Sequence, residues 1–229
     1  MPQITLHAAP GTCAKVPMIV LEEIAVPFEI CLVRFAAKEQ KSPEYKKINP
    51  KGKVPAIDID GQILTENPVI LNYLNEIFPG RNILPKAISR EENAQQLADL
   101  CFCSATLHPI VSRIRVPHFI AGKDASAEVW EHGCKAMDEY AEMINSRLSI
   151  GQWWYGEQWS AMDAYLYWIF WRVAGANYAI ERFPAIALHA SRMEQRPAVQ
   201  RALEREKAME KQLEDEGLLF TPPTVAGKK

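Results

Sequence analysis

The sequence predicts two consecutive domains: an α+β domain of order β-α-β-α-β-β-α over residues 1–80 and an all-helical bundle domain over residues 89–229, joined by a linker at 81–88. Three observations carry that reading. Short alternating apolar runs bounded by turn residues are confined to the N-terminal part. Pro79-Gly80 then stops a helix, and Arg81-Asn82-Ile83-Leu84-Pro85 has the composition of a connection. From Ser89 onward apolar residues recur at helical spacing and no strand pattern emerges. A chain of 229 residues is long enough for two small domains.

The first strand is marked by Ile4 and Leu6, and a turn follows at Pro10-Gly11-Thr12. A helix then starts near Cys13 or Ala14, with Val16, Ile19, Val20 and Ile24 on its apolar face. Pro17 is tolerated there because first-turn N–H groups have no intrahelical partner. Two readings of Cys13 stand side by side. A thiol at a helix N-terminus is stabilised as thiolate by the dipole and the free N–H groups. Alternatively it is a small buried hydrophobe, the usual fate of a lone cysteine.

Residues 28–33 read as a second strand suited to burial on both faces. A basic loop at 35–41 carries Lys38, and Ser42-Pro43-Glu44 starts a short capped helix that ends at Asn49-Pro50. The stretch around which the chain is organised is residues 49–74, NPKGKVPAIDIDGQILTENPVILNYL. Val54-Pro55 opens a strand with Ile57 and Ile59 on one face. Asp60-Gly61 is a two-residue hairpin signal, since both central residues of a type I′ turn need positive φ. Ile63-Leu64 is the return strand. Thr65-Glu66-Asn67-Pro68 then starts a helix, with Asn67 able to cap it and Pro68 suited to the first helical position. The corner therefore offers a carboxylate, an amide and free N–H groups. That set suits an α-amino, α-carboxylate head; local physics alone favours a plain helix cap.

In the helical half, Ser89 with Glu92 predicts a helix over residues 89–112, and residues 125–148 predict another. Residues 162–173 are strongly apolar and rich in aromatics and read as a central buried helix. Helices over 186–196 and 197–216 follow, and residues 220–229 read as a tail. Ser160 and Asp163 have capping-box spacing. Most of the tryptophans in this half are expected in the core.

These motifs, in this order, resemble the glutathione S-transferase family, most closely its bacterial beta class. The resemblance rests on Ala9-Pro10-Gly11-Thr12-Cys13, on NPKGKVP with its hairpin and TEN, and on the Ser160/Asp163 box. It implies a thioredoxin-like first domain, a cis Pro55, and Val54 pairing backbone to backbone with glutathione. It implies Glu66 and Asn67 on the γ-glutamyl head and Lys38 on the glycyl carboxylate. Cys13, beside Thr12, would contact the glutathione sulfur, and His108 would face the thiol and the electrophile. No tyrosine stands in the first strand–turn segment. The implied activity is conjugation of glutathione, as co-substrate, to small apolar electrophiles by a cytoplasmic homodimer without a metal. Pro109 departs from the lysine that the class carries there. Two rival readings are a glutathione-dependent thiol–disulfide reductase using Cys13 and a non-catalytic binding protein.

Composition narrows the classes further. A net charge of −2 without basic runs argues against nucleic acid or an anionic membrane as the main partner. No apolar run spans a bilayer, and the N-terminus lacks the form of a signal peptide. Five irregularly spaced cysteines do not make a disulfide framework.

Overall fold

A computed structural model describes residues 2–220. The expected tail therefore lies, beyond Phe220, outside the described residues. The chain divides into two compact units, one running to Lys86 and taking in Glu194–Phe220, the other covering Ala87–Met193.

The first unit contains β1 (Ile4–Ala8), α1 (Lys15–Ile24), β2 (Glu29–Leu32), α2 (Pro43–Ile48), β3 (Ala56–Ile59), β4 (Gln62–Thr65) and α3 (Asn67–Ile77). Its sheet has the order β2-β1-β3-β4, with β1 parallel to β2 and the other pairs antiparallel. This is the thioredoxin-like arrangement that the sequence predicts. Leu6 stands opposite both Ile30 and Ile57 in the ladder and is fully buried. With Ile4, Ile19, Val20, Ile57, Ile70 and Leu74 it forms the core, each buried aliphatic stabilising the fold by roughly 1.5–3 kcal/mol. The hairpin turn is as expected: Asp60 and Gly61 both have positive φ, 52° and 84°. β2 differs from expectation. It is an edge strand, and Glu29 and Cys31 are exposed, so it is not buried on both faces.

The final helix of the described chain, α10 in chain order (Pro197–Asp215), packs on α1. Its buried stripe is Ala198, Val199, Ala202, Glu206, Met209 and Leu213, three or four residues apart as one helix face requires. Ion pairs flank the stripe. Arg201 and Arg205 each reach Glu22 at 2.5 Å, and Arg196 reaches Glu23 at 2.5 Å. Part of this charged helix's charge is thus paired with α1.

The second unit contains α4 (Arg90–Cys101), α5 (His108–Arg115), α6 (His118–Ala121), α7 (Ser126–Leu148), α8 (Ala161–Ala174) and α9 (Pro184–Glu194, whose last residue belongs to the first unit). The helix expected over 89–112 is interrupted by a π-wound segment, Phe102–Leu107. Pro109 supplies the reason: it has no N–H for the carbonyl four residues back, and its ring crowds that carbonyl, so the turn before it widens. α8 is buried on nearly every side, and its start carries the predicted box. Asp163 Oδ2 accepts from the Ser160 N–H and hydroxyl, both at 2.9 Å, while Oδ1 accepts from the Trp154 N–H at 2.8 Å. Trp153, Trp154 and Trp168 are buried in this core, whereas Trp159 and Trp171 are only half-buried. Among the described residues, no helix is long and apolar enough to cross a membrane.

Candidate functional site

The site is built where the turn before α1, the loop before β3 and the start of α3 meet. Pro10 to Ala14 form a tight turn. The Thr12 hydroxyl donates to the Ala9 carbonyl at 2.6 Å, and the Lys15 N–H donates to the Thr12 carbonyl at 3.1 Å. Thr12 therefore holds its own loop. Helix α1 begins at Lys15, with Ala14 as its N-cap residue and no side chain capping it, so Cys13 lies just ahead of the cap.

Cys13 is 8% exposed, and its thiol donates to the Val54 carbonyl at 3.8 Å. Burial pushes the Cys13 thiol up to about 12; its own backbone N–H and Lys53 oppose the shift, and Glu66 adds to it. This corrects one of the two sequence readings. The helix start does not make Cys13 a thiolate, because desolvation outweighs the dipole.

Val54 precedes Pro55 across a cis peptide bond, as the resemblance implies. The loop is held from behind: the Tyr45 hydroxyl and Asn49 amide both donate to the Lys53 carbonyl, at 2.9 and 2.7 Å. Gly52 cannot be replaced cheaply. Its φ is +60°, and a Cβ there would meet the Gln40 carbonyl oxygen at 2.7 Å.

At α3 the first turn differs from the expected cap. Glu66, not Asn67, is the N-cap residue, and its side chain makes no capping bond. Asn67 is the first helical residue and Pro68 the second. Asn67 is instead a strut: its amide donates to the Cys13 carbonyl at 3.0 Å, and the side chain is 3% exposed. Its Oδ1 is buried and has no hydrogen-bond partner among the described residues. Glu66 has φ 72° and ψ 122°, a region that non-glycine residues rarely occupy. Such backbones cost about 1–3 kcal/mol and cluster at binding sites. Its carboxylate points outward and pairs with Lys51 at 2.6 Å.

Of the residues expected from sequence, the structure thus gathers Thr12, Cys13, Val54, Pro55, Glu66 and Asn67. Lys38 is exposed at the start of the short 3₁₀ turn Glu39–Lys41, with φ 56°. No hydrogen bond or ion pair among the described residues joins it to the others. His108 belongs to the second unit, at the first position of α5, where its ring meets Trp168 edge-on at 4.7 Å. Among the described residues, no group of three or more His, Cys, Asp or Glu side chains is placed to hold a metal ion.

Sequence reasoning missed Lys15, Lys51 and Glu206. Lys15 carried a signal, a lone cation in an otherwise apolar first turn. Lys51 and Glu206 carried none, since both stand among many similar charged residues.

The comparisons with known proteins agree with this geometry. The family model described as "Glutathione S-transferase, N-terminal domain" matches residues 2–76. A glutathione S-transferase of Xanthomonas campestris is 30% identical over 165 residues, 71% of this chain and 78% of that one. Glutathione S-transferase GstA of Escherichia coli O157:H7 is 28% identical over 88% of this chain and 98% of its own length. The maleylacetoacetate isomerase maiA of Aspergillus fumigatus is 28% identical over 88% of this chain and 90% of its own. Among solved structures, a glutathione transferase homologue from Sulfitobacter with bound glutathione has a TM-score of 0.77 at 28% identity, covering 96% of this chain and 100% of that one. A bacterial beta class enzyme from Sphingomonas chungbukensis has a TM-score of 0.77 at 26% identity, covering 88% and 98%. Fold, motif order and relatives converge: the chain belongs to the glutathione S-transferase family.

Proposed function

We propose that the protein binds glutathione at the Cys13–Val54–Glu66 corner and conjugates it to small apolar electrophiles. The observation that carries this is the Asn67 strut, which ties the start of α3 to the Cys13 turn while leaving a buried acceptor, Oδ1, unused. In this reading Glu66 exchanges its exposed partner Lys51 for the ammonium of the γ-glutamyl head. The α3 N-terminus faces the adjacent carboxylate. The Val54 backbone pairs with the cysteinyl residue, and Lys38 meets the glycyl carboxylate. A homodimer and a cytoplasmic setting belong to the same proposal.

The state of Cys13 shapes the mechanism. A thiol that stays protonated at neutral pH is a donor, so it can turn from the Val54 carbonyl to the glutathione sulfur and stabilise the thiolate form there. Holding that thiolate in a partly dry site supplies the remaining effect, proximity. A protonated Cys13 is a poor nucleophile, which weighs against the thiol–disulfide reductase reading. His108 is proposed as a further reactive-site residue, tested separately by His108→Ala.

A second reading is favoured by the Aspergillus relative, whose name is that of an isomerase and which matches most of both chains. Glutathione-dependent isomerisation would use the same thiolate without consuming it. Assays with an activated aryl halide and with maleylacetoacetate, on wild type and Cys13→Ala, separate the readings. Conjugation of the halide supports the transferase, and turnover of maleylacetoacetate alone supports the isomerase. Disulfide reduction abolished by Cys13→Ala would support the reductase, and no turnover in any assay the non-catalytic reading.

A further inference from the structure

We propose that Glu206, on the final helix, is a positioning residue for the Cys13 turn, and that Lys15 serves it as counter-charge. The inference rests on the glutathione site proposed above and adds a residue to it from a distant part of the chain.

Glu206 Oε1 accepts from the Gly11 N–H at 2.7 Å, and Oε2 pairs with the Lys15 ammonium at 2.6 Å. The two partners flank Cys13, two residues before it and two after. One carboxylate therefore clamps the turn that presents the thiol. All of it is buried: Lys15 is 1% exposed and Glu206 5%. A buried ion pair is a weak source of stability, because desolving two charges offsets their attraction. Its value is directional, since the carboxylate can meet both donors in one arrangement only.

The neighbouring contacts fix α10 so that Glu206 arrives in register. Arg201 and Arg205 hold Glu22, Arg196 holds Glu23, and the Arg205 guanidinium lies over the Phe28 ring at 4.2 Å. Arg34 reaches Glu216 beyond the helix end at 2.6 Å. The rest of the Cys13 loop is held by short-range bonds and by two neighbours: the Thr12 hydroxyl on Ala9, the Lys15 N–H on the Thr12 carbonyl, the Cys13 thiol on the Val54 carbonyl and the Asn67 amide on Cys13. Removing Glu206 takes away the acceptor that meets the Gly11 N–H and so loosens the turn that presents the buried thiol.

Two double variants isolate the contact without leaving a buried charge. Lys15→Met/Glu206→Leu removes the ion pair and the Gly11 acceptor. Lys15→Met/Glu206→Gln removes the ion pair and keeps an acceptor. Each is treated with iodoacetamide across pH 6–10 (about that range suffices to span an ordinary thiol titration), and alkylation is read per cysteine by mass spectrometry. The exposed Cys31 and Cys101 serve as internal standards. The leucine variant should alkylate Cys13 about tenfold or more faster relative to Cys31, with its pH profile moved toward neutrality, as expected for loss of one buried ionic hydrogen bond. The glutamine variant should stay near wild type. Equal Cys13 rates in wild type and both variants would overturn the proposal, and so would equal acceleration in both. Alkylation needs no glutathione, so a wild type that fails to bind glutathione would sink the functional reading alone.

Discussion

Helices α8 and α3 both begin at a buried polar residue, yet the two starts are used in opposite ways. At α8 the Ser160 and Asp163 side chains are spent inside the protein. Asp163 accepts from Ser160 twice, from Trp154 and from the His189 ring at 3.1 Å, and Ser160 and Asp163 are fully buried. At α3 no side chain caps the helix, Glu66 sits in an unfavourable backbone region with its carboxylate turned outward, and Asn67 keeps a buried acceptor unpaired. A complete network specifies a structure; an incomplete one, held in place by its neighbours, leaves capacity for a ligand. The difference marks α8 as a folding element and the start of α3 as a candidate site without appeal to any relative.

The largest effect expected from that contrast is on stability at α8. Asp163→Ala leaves the Ser160 N–H and hydroxyl, the Trp154 N–H and the His189 ring without their acceptor. Urea unfolding should register a loss of about 3 kcal/mol or more, while glutathione affinity of the folded fraction is unchanged. If stability hardly moves, the box is not the keystone described.

Glu66 should behave in the reverse way. Glu66→Ala is expected to weaken glutathione binding by about tenfold or more, the worth of one charge-assisted contact, with stability altered by less than about 1 kcal/mol because its pair with Lys51 is exposed. Glu66→Gly sharpens the point. It relieves the positive φ and should raise stability by about 0.5–1 kcal/mol, yet lose binding as the alanine variant does.

A smaller effect concerns Cys13 and pH. Its thiol is held near 12 in the folded protein against about 9 when unburied. The folded state thus binds the proton more tightly. The contribution is complete below pH about 9 and is lost as pH rises from there toward about 12. Thermal melts should show an alkaline decline in wild type that is shallower in Cys13→Ala. Smallest of all, Lys51→Met should change stability by less than about 1 kcal/mol and tighten glutathione a few-fold at low salt, because the competing ammonium is gone.

Much of this was legible in the sequence, and the gaps have physical reasons. The order of elements, the Asp60-Gly61 turn and the Ser160/Asp163 box follow from local rules in which neighbours along the chain decide the outcome. The corner around Val54 and Glu66 was legible as a structural unit because a motif fixes its residues in order. What failed was long-range. Whether Cys13 is a thiolate depends on how deeply other segments bury it. Whether Asn67 caps its own helix or braces Cys13 depends on a residue 54 positions away. The edge placement of β2 is a property of strand order, which a buried-looking run such as residues 28–33 does not reveal. Glu206, 195 positions from Gly11, had no local mark at all.

The most direct test is calorimetric titration of glutathione into wild type, Glu66→Ala and Ser160→Ala. The account predicts micromolar to low-millimolar binding by wild type, retention in Ser160→Ala despite a stability loss of about 0.5–2 kcal/mol, and loss in Glu66→Ala. No binding by wild type, or equal weakening in both variants, would contradict it.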